Sequence, residues 1–129
     1  MNSYAGKYVD GFVLPVPKAN LEAYRAIAET MGQVWRKHGA LAYVECVADD
    51  VKPGKVTSFP QSVELEADEV VVLAWIVYDS REHRDAVNAK VMADPVMTGM
   101  DKSKMVFDEK GYAHADGWLE ACNSRHGRL

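Results

Sequence analysis

Cysteine is scarce. The 129 residues hold two, Cys46 and Cys122, which lie 76 positions apart. That pair forms neither a metal-binding spacing nor the dense disulfide framework of a small secreted domain. Long hydrophobic runs are missing too. The longest, Val70–Tyr78, has nine residues, about half of what a helix needs to cross a bilayer. The first ten residues contain no apolar stretch of the kind a secretory signal carries. There is no excess of positive charge: 15 basic residues stand against 19 acidic ones, a net charge of −4. This argues against a general nucleic-acid binder, which needs clustered cations, and against docking on an anionic membrane surface. The expected setting is therefore the cytoplasm, with no nucleic-acid or membrane partner.

Several motifs are also absent. There is no G-x-S-x-G elbow, no dinucleotide fingerprint and no C-x-x-C pair. Gly54-Lys55 lacks the upstream glycine of a phosphate loop, and Val56 stands where Ser or Thr is required. The histidines, His38, His83, His114 and His126, show no paired spacing. No metal site is expected from them, and no cofactor. Leu and Ile number only nine, whereas Val (17) and Ala (16) supply 33 of the 62 hydrophobic residues. Such small and β-branched side chains favour close sheet–helix packing over a large Leu-rich helical core.

What is present is one domain's worth of chain, residues 1–129, with Asn123–Leu129 as a polar tail. Lys7–Val16 reads as a strand stopped by Pro15 and Pro17. Asn20 is placed to cap a helix whose apolar residues, from Leu21 and Tyr24 to Met31 and Trp35, recur at helical spacing. Lys37-His38-Gly39 ends it, with cations at the negative end and glycine for the left-handed turn. Leu41–Asp49 is a second strand. Val63–Glu66 alternates and predicts a short extra strand on an exposed arm. Val70–Tyr78 is apolar at every position and predicts a strand buried on both faces. Ser80 caps a second helix, Arg81–Ala93, with His83, Ala86, Val87, Lys90 and Val91 as its inner stripe. Asp94-Pro95 stops that helix. Val96–Glu109 reads as loop with a turn of helix, and Tyr112–Cys122 as a last strand. The order β-α-β-β-α-β predicts an α+β, ferredoxin-like fold: a four-stranded antiparallel sheet with two helices on one face.

Each strand alternates a small face with a large, partly aromatic one. The small faces (Gly11, Ala42, Val44, Ala115, Gly117) predict the helix-covered side. The large faces carry Asp10, Tyr43, Glu45, His114, Asp116 and Trp118, too much apolar surface for open water. They predict a homodimer in which a second copy covers that side.

The opening Lys7-Tyr8-Val9-Asp10-Gly11-Phe12-Val13 resembles that of the YbaA-like family of uncharacterised small bacterial proteins. Further matching pieces follow in order: Val44-Glu45-Cys46, Gly54-Lys55-Val56-Thr57, Trp75-Ile76, Arg84-Asp85-Ala86 with Asn88, Asp94-Pro95 and Phe107-Asp108. The resemblance implies a dimeric α+β barrel. The wider superfamily includes cofactor-free monooxygenases, isomerases, haem-handling proteins and proteins without known activity, so fold alone assigns no reaction. The last strand, with His114 and Asp116, departs from the family pattern.

Carboxylates and a histidine in a partly apolar pocket can act as acid and base, which makes Asp10, Glu45 and His114 the candidate catalytic groups. Tyr43, Trp75, Trp118 and Asp116 are the candidate walls for a small hydrophobic or aromatic ligand. The competing reading is a polar cluster that only satisfies itself across a dimer interface, in a non-catalytic dimerisation module. For Trp75 core is the better reading, and for Cys46 a packed, inert thiol.

Overall fold

The computed structural model describes residues 4–101 and 113–118. Its elements are β1 (Tyr8–Pro17), a 3₁₀ turn (Lys18–Asn20), α1 (Leu21–Lys37), β2 (Ala42–Val47), α2 (Phe59–Ser62), β3 (Glu69–Tyr78), α3 (Arg81–Ala93), α4 (Pro95–Thr98) and β4 (Ala113–Trp118). The strands form one sheet in the order β2-β3-β1-β4, with every neighbouring pair antiparallel. This is the ferredoxin-like arrangement expected from the element order. The expected tail Asn123–Leu129, Cys122, and the ends of the last predicted strand at Tyr112 and 119–122 lie outside the described residues.

Local chemistry explains most boundaries. Lys18 N–H donates to the Asp68 carbonyl (2.8 Å). Alternation then turns the nitrogens of Pro15 and Pro17 away from β3, toward a side where the described pairing with β4 has ended at Val13. Ser80 Oγ accepts from His83 N–H and starts α3 where expected. Gly39 follows α1 with φ +114°, a conformation that costs other residues more. The expected strand at 63–66 is not formed. Ser58 instead caps a helical turn, with Pro60 in its first turn. Asp94 ties the helix ends together: Oδ2 lies 2.7 Å from His38 Nε2 and accepts from Lys37 Nζ (3.0 Å), while Oδ1 accepts from Val96 N–H (2.9 Å). The His38 hydrogen bond comes first among the contacts that hold this carboxyl well below its usual range.

The helices cover the face opposite to the expected one. Tyr8, Ile76 and Tyr78 of the sheet pack against Val34 and Trp35 of α1 and Val87 and Val91 of α3. Leu14, Val16 and Val72 pack with Tyr24 in a second cluster. The large face is therefore the core, and Val9, Val13, Val44, Leu73 and Trp75 lie half-buried on the open small face. The reason is partly volume and partly hydrogen bonding. The large face carries buried polar groups that need partners, and the helices supply them. Arg84 and Asn88 point inward with Val87 and Val91, so the inner stripe of α3 is 84, 87, 88 and 91. Ala86 and Lys90, expected inside, are exposed. Cys46, expected to be packed, is exposed on the open face, and β3 is not buried throughout, since Leu73 and Trp75 share that face.

Candidate functional site

Tyr43 and Glu45 project from the edge strand β2 onto the helix-covered face, opposite Ile76 and Ala74. Across from them α1 presents Tyr24, Met31 and Trp35. Gly32 permits this approach: a Cβ there would lie 3.0 Å from Tyr43 Cδ1, closer than packed carbons allow. The Trp35 and Tyr43 rings sit 5.9 Å apart, tilted by 42°. Between sheet and helices lies a cavity of about 620 Å³, a size suited to a small organic ligand. Its walls include Phe12, Tyr24, Trp35 and Tyr43, and Met92, Met97 and Met100 close one side. Thioether chains adapt to irregular shapes. Asp94, by holding the start of α4, supports the Met97 wall.

Glu45 supplies the one carboxylate in this lining, and no Lys, Arg or His is among the described lining residues. The Tyr24 hydroxyl donates to Glu45 Oε1. Oε2 is buried with no hydrogen-bond partner among the described residues. Burial pushes the Glu45 carboxyl above its ordinary value, and the Tyr24 hydrogen bond opposes only part of that rise. Burial first, then the hydrogen bond and charge of Glu45, drives the Tyr24 hydroxyl far above the phenol range, so Tyr24 stays a donor. A carboxyl raised in this way is a better proton acceptor than an ordinary surface glutamate.

A second polar cluster surrounds Asp10, which is 4% exposed. Asp10 faces Asp116 directly across the β1–β4 ladder, a repulsive like-charge pair if left alone. Arg84 Nη1 resolves it, 2.7 Å from Asp10 Oδ1 and 3.2 Å from Asp116 Oδ2. The guanidinium also donates from Nε to Asp85 (2.7 Å) and lies 5.2 Å over the Tyr8 ring. Deeper in, Trp35 Nε1 donates to the Tyr78 hydroxyl (3.1 Å), and that hydroxyl donates to Asn88 Oδ1 (3.2 Å). This cluster joins β1, β3, β4, α1 and α3.

The structure thus separates the residues expected in one site. Glu45 and Tyr43 meet in the cavity. Asp10 and Asp116 meet at Arg84, outside its lining. His114 and Trp118 take strand positions opposite Phe12 and Tyr8. Within one subunit, β2 and β4 are opposite edges of the sheet, three strand spacings or about 14 Å apart. Trp75 borders the cavity from β3, but its register opposite Gly11 and Val44 sends its side chain to the open face. Sequence reasoning missed Tyr24, Arg84 and Asn88 as polar partners. The available signal was that a buried phenol, carboxylate or amide must find one. Among the described residues no group of three or more His, Cys, Asp or Glu could hold a metal ion, and no helix is long and apolar enough to cross a membrane.

With this geometry in hand, comparison with known proteins adds ancestry. The family model described as protein of unknown function (DUF1428) matches residues 7–109. The chain is similar to the uncharacterized protein YbaA of Escherichia coli K12, and equally to that of Shigella flexneri. In both, 49% of 104 residues are identical, covering 81% of this chain and 88% of the relative. Among solved structures it is similar to a dimeric ferredoxin-like protein from an uncultured marine organism. That likeness has a TM-score of 0.51 at 12% identity and covers 92% of this chain and 99% of the other. It supports the fold alone.

Proposed function

We propose a function on the premise that the chain belongs to the DUF1428 family of proteins of unknown function: it is a homodimer, each subunit of which binds a small hydrophobic or aromatic molecule in the cavity between sheet and helices. The observation that carries the ligand reading is the buried Oε2 of Glu45, which has no hydrogen-bond partner among the described residues, in the wall of a largely apolar cavity. An unsatisfied carboxylate oxygen costs stability, and a ligand donor would satisfy it. Proton transfer to or from that molecule runs through Glu45, oriented by Tyr24, and requires no bound cofactor. Asp10, Arg84 and Asp116 form the frame rather than the site. His114 and Trp118, on the far edge strand, belong to that frame in this reading.

The dimer rests on the open sheet face. Val9, Val13, Val44, Leu73 and Trp75 form an apolar patch there, and patches of this kind mark interfaces. The ferredoxin-like neighbour is itself dimeric. A second copy laid face to face would bury Trp75 and cover Cys46.

Native mass spectrometry of the purified protein tests both parts. The expected species is near twice 14.3 kDa and carries added small-molecule mass that Glu45→Gln removes while the dimer persists. A species of 14.3 kDa for the wild type would overturn the dimer. A wild-type dimer without adduct, which also takes up no added aromatic compound, would overturn the ligand site and favour the dimerisation module.

A further inference from the structure

The cavity has a charge pattern as well as a shape. Four aromatic rings, Phe12, Tyr24, Trp35 and Tyr43, and one carboxylate, Glu45, line it, with no basic side chain among the described lining residues. Aromatic faces attract cations, most strongly where water is excluded. We infer that the ligand of this cavity is a small primary or secondary amine, bound as its ammonium ion, whose N–H donates to Glu45 Oε2 while its apolar body lies among the rings. The inference rests on the ligand reading above and narrows it to one chemical class.

The usual objection to a buried ion pair is the cost of desolvating two charges. Here the fold has already desolvated the carboxylate. Only the ammonium must leave water, and it gains a counter-charge and ring faces together. Other chemistries fit less well. An anionic ligand would meet Glu45 with no cation among the described lining residues to offset it. A neutral apolar ligand would leave Oε2 unsatisfied.

Among the described residues, none that faces Glu45 on the cavity side carries a positive charge. Tyr24 faces it from α1 and Tyr43 precedes it by two residues on β2. Both hydroxyls are raised, chiefly by burial, and remain neutral. Phe12 and Ala74 face it from β1 and β3. On the outer side of α1 a shallow groove, bounded by Tyr43 and Glu45, carries Arg25, Glu29 and Arg36. Arg36 Nη1 donates to the Leu41 carbonyl (2.6 Å), and Arg25 Nε lies 3.8 Å from Glu22. Burial, which raises the Glu45 carboxyl, is its largest influence, and the Tyr24 hydrogen bond opposes it.

Two near-isosteric probes, phenethylamine and 2-phenylethanol, test this on the wild-type protein by calorimetric titration. At pH 8 the amine should bind at least tenfold more tightly than the alcohol. Its affinity should fall on acidification as Glu45 takes up a proton, whereas alcohol binding should not fall. Glu45→Gln should abolish the preference and the acid limb. Equal or tighter binding of the alcohol by the wild type would overturn the amine assignment and leave the cavity reading standing. Failure of both probes to bind would overturn the cavity reading, and the amine with it. The wild-type comparison decides the matter even if the variant does not fold.

Discussion

Asp10 and Glu45 are carboxylates on the same sheet face, two strands apart, and their surroundings differ in kind. Asp10 is 4% exposed and engages Arg84 at 2.7 Å. Its neighbours Asp116, Tyr8, Tyr78 and Asn88, with Trp35, complete a network across five elements. Among the described residues Glu45 has one hydroxyl partner, and its second oxygen has none. A buried charge is tolerated when its partners are built in, as at Asp10. Where a charge is only half satisfied, the fold gives up stability, and such local inconsistencies concentrate at functional sites. In the proposed reading the first carboxylate serves folding and the second serves binding.

The largest expected effect breaks the first half of this contrast. Arg84→Met keeps an apolar side chain over Tyr8 but strands Asp10 and Asp116 against each other. It should destabilise the protein by about 3–5 kcal/mol, the cost of removing one partner of a buried ion pair. Urea unfolding measures it. Adding Asp10→Asn should recover part of the loss, because the uncompensated charge goes with it. A loss below about 1 kcal/mol, the level of an exposed pair, would mean the clamp is solvated and the contrast unfounded.

Much of the frame is legible in the sequence, because caps and periodicity are local. Ser80 begins α3, Lys37-His38-Gly39 ends α1, and Val70–Tyr78 differs from β3 by one residue. Which face the helices choose is not local. Small side chains promised close helix packing, but the polar groups on the large face, Asp10, Glu45 and the Tyr78 hydroxyl, decided the matter through the partners α1 and α3 could offer. The same error hid the site. Tyr24 reads as core from its spacing, and Glu45 pairs with it only because α1 lies over β2. The stripe 84, 87, 88, 91 is as helical as the chosen one, but two polar members disguise it.

A middle-sized effect sharpens the comparison at Glu45. Its carboxyl is raised above an ordinary value of 4.5, first by burial. The folded state then binds its proton more tightly than the unfolded chain does, so stability falls as pH rises from about that value through the raised one. Glu45→Gln removes this dependence and keeps an acceptor for Tyr24. Thermal melting should show the variant equal to the wild type at low pH and more stable at pH 8. Opposite behaviour, with the variant weaker at pH 8, would place Glu45 with Asp10 as a structural charge.

The smallest effect asks whether the two regions are separable. Ser80 Oγ accepts from His83 N–H at 3.0 Å and starts the helix that carries Arg84 and Asn88. Ser80→Ala should cost about 1 kcal/mol, the usual value of an N-cap, and that cost should fall on the network beside the first turn of α3. The cavity touches α3 only near its other end, at Met92. Binding of an aromatic probe should therefore stay within twofold of the wild type while the unfolding midpoint drops. A parallel loss of binding would show that the network also holds the cavity walls, because both regions share Trp35: its Nε1 serves Tyr78 and Asn88, and its ring faces the ligand space.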